Sequence, residues 1–357
     1  MCTSPMWRIP VSPACANFVF KNDMRGYRNG AFIVSHKDPG RLQHIMGTLE
    51  KLSLRQFKKA SDGVVTIPCG QCLECKIDNS KEWAQRSVAE SMCHSENWFI
   101  TLTYDDEHLP PPILSFSRHS LDFGYWSPLV YRDFELFKKR LLERFRELGH
   151  TGIRFFACGE YGPNNGRPHF HAIFYNLPIP DLEKCFSNSL GGRKVTYLSS
   201  KLIEDTWGNG FVTIGECNFD TSAYVARYVT KKMTNLEEHL YKRMCEDYNC
   251  DVLPPEFRQA SRRPGLGRPY FDENFEKIYE NDCVFLPNGK TPKPCAYYDN
   301  LYKIHHEPHL HELKLQRKAV AELQQKNELI NIRDINNYNK NKHDFLARKL
   351  TKLKRPL

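Results

Sequence analysis

Nowhere does the chain run to the roughly eighteen consecutive apolar residues that a bilayer-crossing helix requires, which excludes a helical membrane protein. Met1-Cys2-Thr3-Ser4-Pro5 offers neither a charged nor an apolar leader region, so secretion is not expected. No Gly-rich loop ending in Lys-Ser/Thr occurs, so the chain is not expected to drive its own nucleotide-powered unwinding. No internal repeat is visible either. A disulfide framework is also missing: the thirteen cysteines are odd in number and unevenly spread. That pattern leaves metal ligation or buried thiols in a reducing compartment.

Positive charge is what the chain has in excess. Lys and Arg number 51 against 42 Asp and Glu, a net +9, and the expected partner is anionic, with nucleic acid the first candidate. At 357 residues there is room for one well-cored domain with substantial extensions, or for two domains.

Prolines and glycines break any long period over the first residues. An N-terminal Cys-rich extension is therefore expected over 1–95, irregular at first and closing with a helix around 79–90. From Trp98 the texture changes. Trp98-Phe99-Ile100-Thr101-Leu102-Thr103-Tyr104 is rich in aromatic and β-branched residues and reads as a strand. Phe134, Phe137, Leu141, Leu142 and Phe145 recur at helical spacing between Val130 and Leu148. Ile153–Glu160 and His169–Tyr175 flank a Gly-Pro-Asn-Asn-Gly turn and predict a hairpin.

A helix near Leu198–Trp207, a strand at Phe211–Gly215 and a helix from Thr221 complete the order β-α-β-β-α-β-α. The fold class is then α+β: a ferredoxin-like antiparallel sheet with helices on one face, over 96–235. A C-terminal extension over 236–357 holds a basic loop with Arg262, Arg263 and Arg268, and a polar helical segment with a basic tail. The tail reads either as a solvated end or as an electrostatic attachment to DNA.

Two strings carry chemistry. In Pro168-His169-Phe170-His171, strand alternation puts both imidazoles on one face. The hairpin brings Glu160 beside them, and two imidazoles with a carboxylate suit Mg²⁺ or Mn²⁺ acting on a phosphoryl oxygen. The same dipeptide spacing also occurs in other metalloenzymes and on ordinary half-buried strands. In Tyr224-Val225-Ala226-Arg227-Tyr228-Val229-Thr230-Lys231-Lys232, the tyrosines fall one helical turn apart. A phenol is a weak nucleophile at neutral pH unless positive charge supports the phenolate, and Lys231 can supply it. Helix-face packing is the plainer use of such a pair. Cys69, Cys72 and Cys75 stand at C-x₂-C-x₂-C spacing, compatible with structural zinc, packed thiols or an iron–sulfur cluster, with Cys2, Cys15, Cys93 or His94 as a fourth ligand.

Taken together, the Trp98 strand, the Pro-His-Phe-His string and the two-tyrosine string resemble, in order, the three motifs of HUH endonucleases that initiate rolling-circle replication. The two-tyrosine version, with Pro68-Cys69-Gly70-Gln71-Cys72-Leu73-Glu74-Cys75 and the Trp83 helix, is most similar to gokushovirus-type microvirus replication proteins. The resemblance implies that His169, His171 and Glu160 hold the metal. It implies that Tyr224 and Tyr228 alternate as nucleophiles, giving a covalent 5′-phosphotyrosine intermediate that is later rejoined. Arg227, Lys232, Arg262, Arg263 and Arg268 become candidate DNA contacts. Arg227 departs from the lysine common at its position, and an arginine binds phosphate without shuttling a proton. Origin DNA, a host helicase and polymerase, and the bacterial cytoplasm are the implied partners and location. Two other readings stay open: a two-His, one-carboxylate enzyme working without an adduct, and a non-enzymatic Cys-rich DNA-binding protein.

Overall fold

The strand that carries both histidines shows how the catalytic sheet is built. In β9 (Pro168–Tyr175), Phe170, Ala172 and Phe174 point to one face and join the largest hydrophobic cluster, while His169 and His171 point to the other. The computed structural model describes residues 6–11, 16, 20, 24–29, 31–35, 38–52, 65–162, 165–190, 193–231, 233–287, 289–330 and 345. They fall into two units, 1–79 and 80–357.

The first unit holds β1 (Met6–Pro10), β2 (Tyr27–Arg28), β3 (Ala31–Ser35), α1 (Pro39–Leu52) and β4 (Val65–Ile67). Its sheet runs β2-β3-β1-β4, and Ile9, Phe32, Val34, Ile45 and Leu49 form its core. This sheet was not anticipated. Its strands are five residues or shorter, and prolines and glycines interrupt the apolar period around them. The boundary between the units falls within α2 (Leu73–Ser91).

In the second unit, β5 (Asn97–Tyr104), α3 (Tyr131–Glu147), β8 (Arg154–Tyr161), β9, α4 (Lys201–Trp207) and β12 (Gly210–Glu216) form the split βαββαβ arrangement. Their sheet order, β12-β5-β9-β8, is antiparallel throughout, so the expected α+β class holds. Both crossover helices lie on the Phe170 face. Phe134, Phe137, Leu141 and Phe145 of α3, with Ile203 and Trp207 of α4, bury their side chains there. Interlocked aromatic rings of this kind supply most of a core's transfer free energy.

The opposite face, which bears the histidines, is covered by α5 (Phe219–Lys231) and by the Trp83–Ala84 stretch of α2. Three additions extend the expected order. The hairpin of β10 (Glu183–Leu190) and β11 (Arg193–Ser199) joins the β12 edge, and β13 (Phe257–Ala260) joins the β8 edge. The hairpin of β6 (Ile113–Phe116) and β7 (Phe123–Trp126) stands apart. Leu198, expected at the start of a helix, belongs to β11; α4 begins after Ser200, whose side chain accepts from the Ile203 N–H. Helices α6 (Asn235–Asp247), α7 (Arg268–Glu280) and α8 (Ala296–Ile330) follow. Among the described residues, no helix is long and apolar enough to cross a membrane.

Candidate metal and tyrosine site

Register alone brings the three candidate ligands together. Glu160 of β8 lies directly opposite His169 of β9, and His171 lies between Cys158 on one side and Thr101 of β5 on the other. Glu160 Oε1 is 2.9 Å from His169 Nε2 and 3.2 Å from His171 Nε2, and Glu160 is fully buried. Burial alone would raise the Glu160 carboxyl, but hydrogen bonds and charge from the two imidazoles outweigh it and hold the group well below the usual carboxylate range.

The far side of each imidazole ring is held as well. His169 Nδ1 lies 3.0 Å from the Arg167 carbonyl, which can only accept, so Nδ1 carries the hydrogen. In a neutral ring the Nε2 lone pair then faces Glu160 Oε1, and two acceptors at that distance repel unless a proton or a cation lies between them. His171 Nδ1 is 3.0 Å from Thr101 Oγ1, and the ring stacks on Phe99 with centroids 5.4 Å apart. One carboxylate and two oriented imidazoles therefore fit a divalent cation, with outer partners that fix the ring orientations. Thr101 and Arg167 were not singled out in the sequence. Strand pairing names the first, at 70 positions from His171, and the second acts through its backbone.

Tyr224 completes the arrangement. It is buried, and its hydroxyl donates to Glu160 Oε1 at 3.1 Å and lies 3.4 Å from His171 Nε2. Its ring meets His171 edge-on at 5.1 Å between centroids, and Val225 and Ala226 pack α5 onto the sheet behind it. The Arg227 guanidinium lies 5.3 Å from the centre of the Tyr224 ring. Tyr228 and Lys231 belong to the same helix, but their side chains, and all of Lys232, lie outside the described residues.

The basic loop is placed differently. Ser261 bonds to Phe155 at the start of β8, so Arg262 and Arg263, both exposed, sit near the end of that strand opposite Glu160. Five residues of strand correspond to about 17 Å. Arg268 opens α7 and pairs with Asp272 at 2.5 Å. Leu266, between them, shares the buried cluster of Tyr224 and Val225, which ties the loop to the tyrosine helix.

A basic residue absent from the sequence expectations lies nearer. Arg258 of β13 is opposite Cys158 and so on the histidine face, and its guanidinium sits 4.1 Å from the Trp83 ring centre, with Arg86 4.2 Å from the same ring. Burial, then the neighbouring charge of Arg86, lowers Arg258 to about 10. In the other unit, the Sγ atoms of Cys69, Cys72 and Cys75 converge within 4.8 Å of one another.

Comparison with known proteins adds an independent line. A family model for replication-associated proteins of the ORF2 type matches residues 97–233. The replication-associated protein ORF2 of Spiroplasma virus 4 is 38% identical over 229 residues, 64% of each chain. The replication-associated protein VP4 of Bdellovibrio phage phiMH2K is 31% identical over 296 residues, 80% of this chain and 85% of that one. The replication-associated protein ORF4 of Chlamydia phage 1 is 36% identical over 249 residues, 67% of this chain and 54% of that one. The chain thus spans somewhat under two thirds of the Spiroplasma virus relative and about half of the Chlamydia phage one. No solved structure matches it.

Proposed function

The chain belongs to the microvirus-type replication-associated proteins, and on that premise we propose that it starts and ends rolling-circle replication of a phage genome by tyrosine-dependent cutting of one DNA strand. The observation that carries this reading is the Tyr224 hydroxyl 3.1 Å from Glu160 Oε1, within the His169–His171–Glu160 cluster. A buried phenol on a ligand cluster is placed for attack rather than for helix packing alone.

Glu160, His169 and His171 would hold Mg²⁺ or Mn²⁺, which when bound would supply Lewis-acid polarisation of a phosphoryl oxygen. In the cutting step the Tyr224 oxygen forms a bond to phosphorus as the bond from phosphorus to the 3′-oxygen breaks. The phenol gives up its proton, and the departing oxygen is protonated to a free 3′-hydroxyl. One phosphate ester replaces another, so rejoining needs no nucleotide cofactor. Arg227 places a permanent positive charge beside the phenol and takes no proton. Tyr228, one turn along α5, is the second nucleophile, free to attack a new junction while the first holds its strand. Lys231 and Lys232 support the phenolates or the phosphate. Host helicase and polymerase supply unwinding and synthesis in the bacterial cytoplasm.

The test is incubation of the purified chain with origin-bearing phage DNA. We expect a protein–DNA adduct that survives denaturation, requires added Mg²⁺ or Mn²⁺, and disappears in the Tyr224→Phe, Tyr228→Phe double variant. Full nicking by that double variant would sink the tyrosine mechanism.

A further inference from the structure

We propose that Cys69, Cys72 and Cys75 bind one zinc ion at the start of α2, a site separate in chemistry from the histidine cluster. None of the described cysteines is in a disulfide, yet these three bring their sulfurs within 4.8 Å of one another. The local chain is shaped to do this. Gly70, at φ +74°, takes the left-handed conformation that residues with a Cβ rarely adopt. The turn it makes aims two backbone N–H groups at one sulfur: Gln71 and Cys72 donate to Cys69 Sγ at 3.4 and 3.2 Å.

A neutral thiol is a weak acceptor, whereas a metal-bound thiolate carries the negative charge that makes such bonds worthwhile. Cys72 immediately precedes α2 and Cys75 lies in its first turn, three residues on, so the pair shares one helix face at the positive end of the helix. Three anionic sulfurs this close repel one another unless a cation lies among them. Thiolates select a soft or borderline ion such as zinc, while the carboxylate and two imidazoles of the other unit suit Mg²⁺ or Mn²⁺.

Tetrahedral zinc has one further position, filled by water or by a fourth side chain. Cys93 and His94 have partners elsewhere, Cys93 Sγ bonding to the Ala89 carbonyl and His94 Nε2 lying 3.3 Å from Glu90. The ion would fasten the corner between β4 and α2 in a unit of about 79 residues, a size at which metal staples commonly supplement a small core.

The full chain, purified without chelator, should carry about one zinc ion. The His169→Ala, His171→Ala variant should keep it, and Cys69→Ser, Cys72→Ser should lose it. Cobalt-substituted protein should show a sulfur-to-cobalt charge-transfer band that the serine variant lacks. If the serine variant fails to fold, alkylation of the wild-type chain decides instead. Chelator should then raise labelling of Cys69, Cys72 and Cys75 severalfold over the other cysteines. A folded wild-type chain with no zinc, no cobalt–thiolate band and chelator-independent labelling would overturn the assignment, as would iron recovered with inorganic sulfide.

Discussion

His171 is oriented through both ring nitrogens, Nε2 toward Glu160 and Nδ1 against Thr101 Oγ1, with Phe99 stacked on its face. Replacing an outer partner of this kind loosens the ligand without removing it. Thr101→Val should therefore weaken Mn²⁺ binding by about 10–100-fold while the fold persists, measured by calorimetric titration alongside circular dichroism. Unchanged affinity would mean that Thr101 does not orient the ring. The ligands themselves were legible in the sequence, because strand alternation and one hairpin suffice to bring Glu160, His169 and His171 together. Thr101 was not legible: its partner is 70 positions away, and only the pairing of β5 with β9 connects them. Arg258 was hidden for the same reason, since its face is set by pairing with β8.

At the scale of elements, β9 serves two functions at once: its even-numbered side chains anchor the core and its odd-numbered histidines face α5. Phe170 is fully buried, with its ring 5.7 Å from Phe134, 5.8 Å from Trp207 and 5.9 Å from Tyr104. Phe170→Ala should cost about 3–5 kcal/mol in urea unfolding, because the surrounding rings cannot collapse into the space. A loss below about 1 kcal/mol would show that the sheet and α3 repack freely there. The elements most visible in the sequence were those with a long period or a strong turn, such as α3 and the β8–β9 hairpin. The first unit's sheet was invisible because its short strands give too few alternations to distinguish from irregular chain. The β10–β11 hairpin was missed as well, and its polar composition gives no apolar alternation to read.

For the molecule as a whole, the net charge of +9 and the placement of Arg262, Arg263 and Arg268 about one strand length from Glu160 suit a DNA strand crossing the sheet face from the basic loop to the tyrosine helix. If these arginines neutralise phosphates, binding of single-stranded DNA should weaken linearly with the logarithm of salt concentration. The triple alanine variant should then have a slope shallower by about 2, at roughly 0.7 for each phosphate left without its arginine. An unchanged slope would place the strand elsewhere. The overall architecture was legible because the βαββαβ order survives every insertion. The two tyrosines were legible as a pair on one helix, while the closeness of Tyr224 to Glu160 came only from the packing of α5 on the histidine face.

The most direct measurement is to let the chain react with origin-bearing phage DNA and Mn²⁺, digest both protein and DNA, and identify the residue that carries nucleotide by mass spectrometry. The account predicts a nucleotide-linked peptide modified at Tyr224 or Tyr228. Cut DNA with free 5′-phosphate ends and no linked peptide would contradict it.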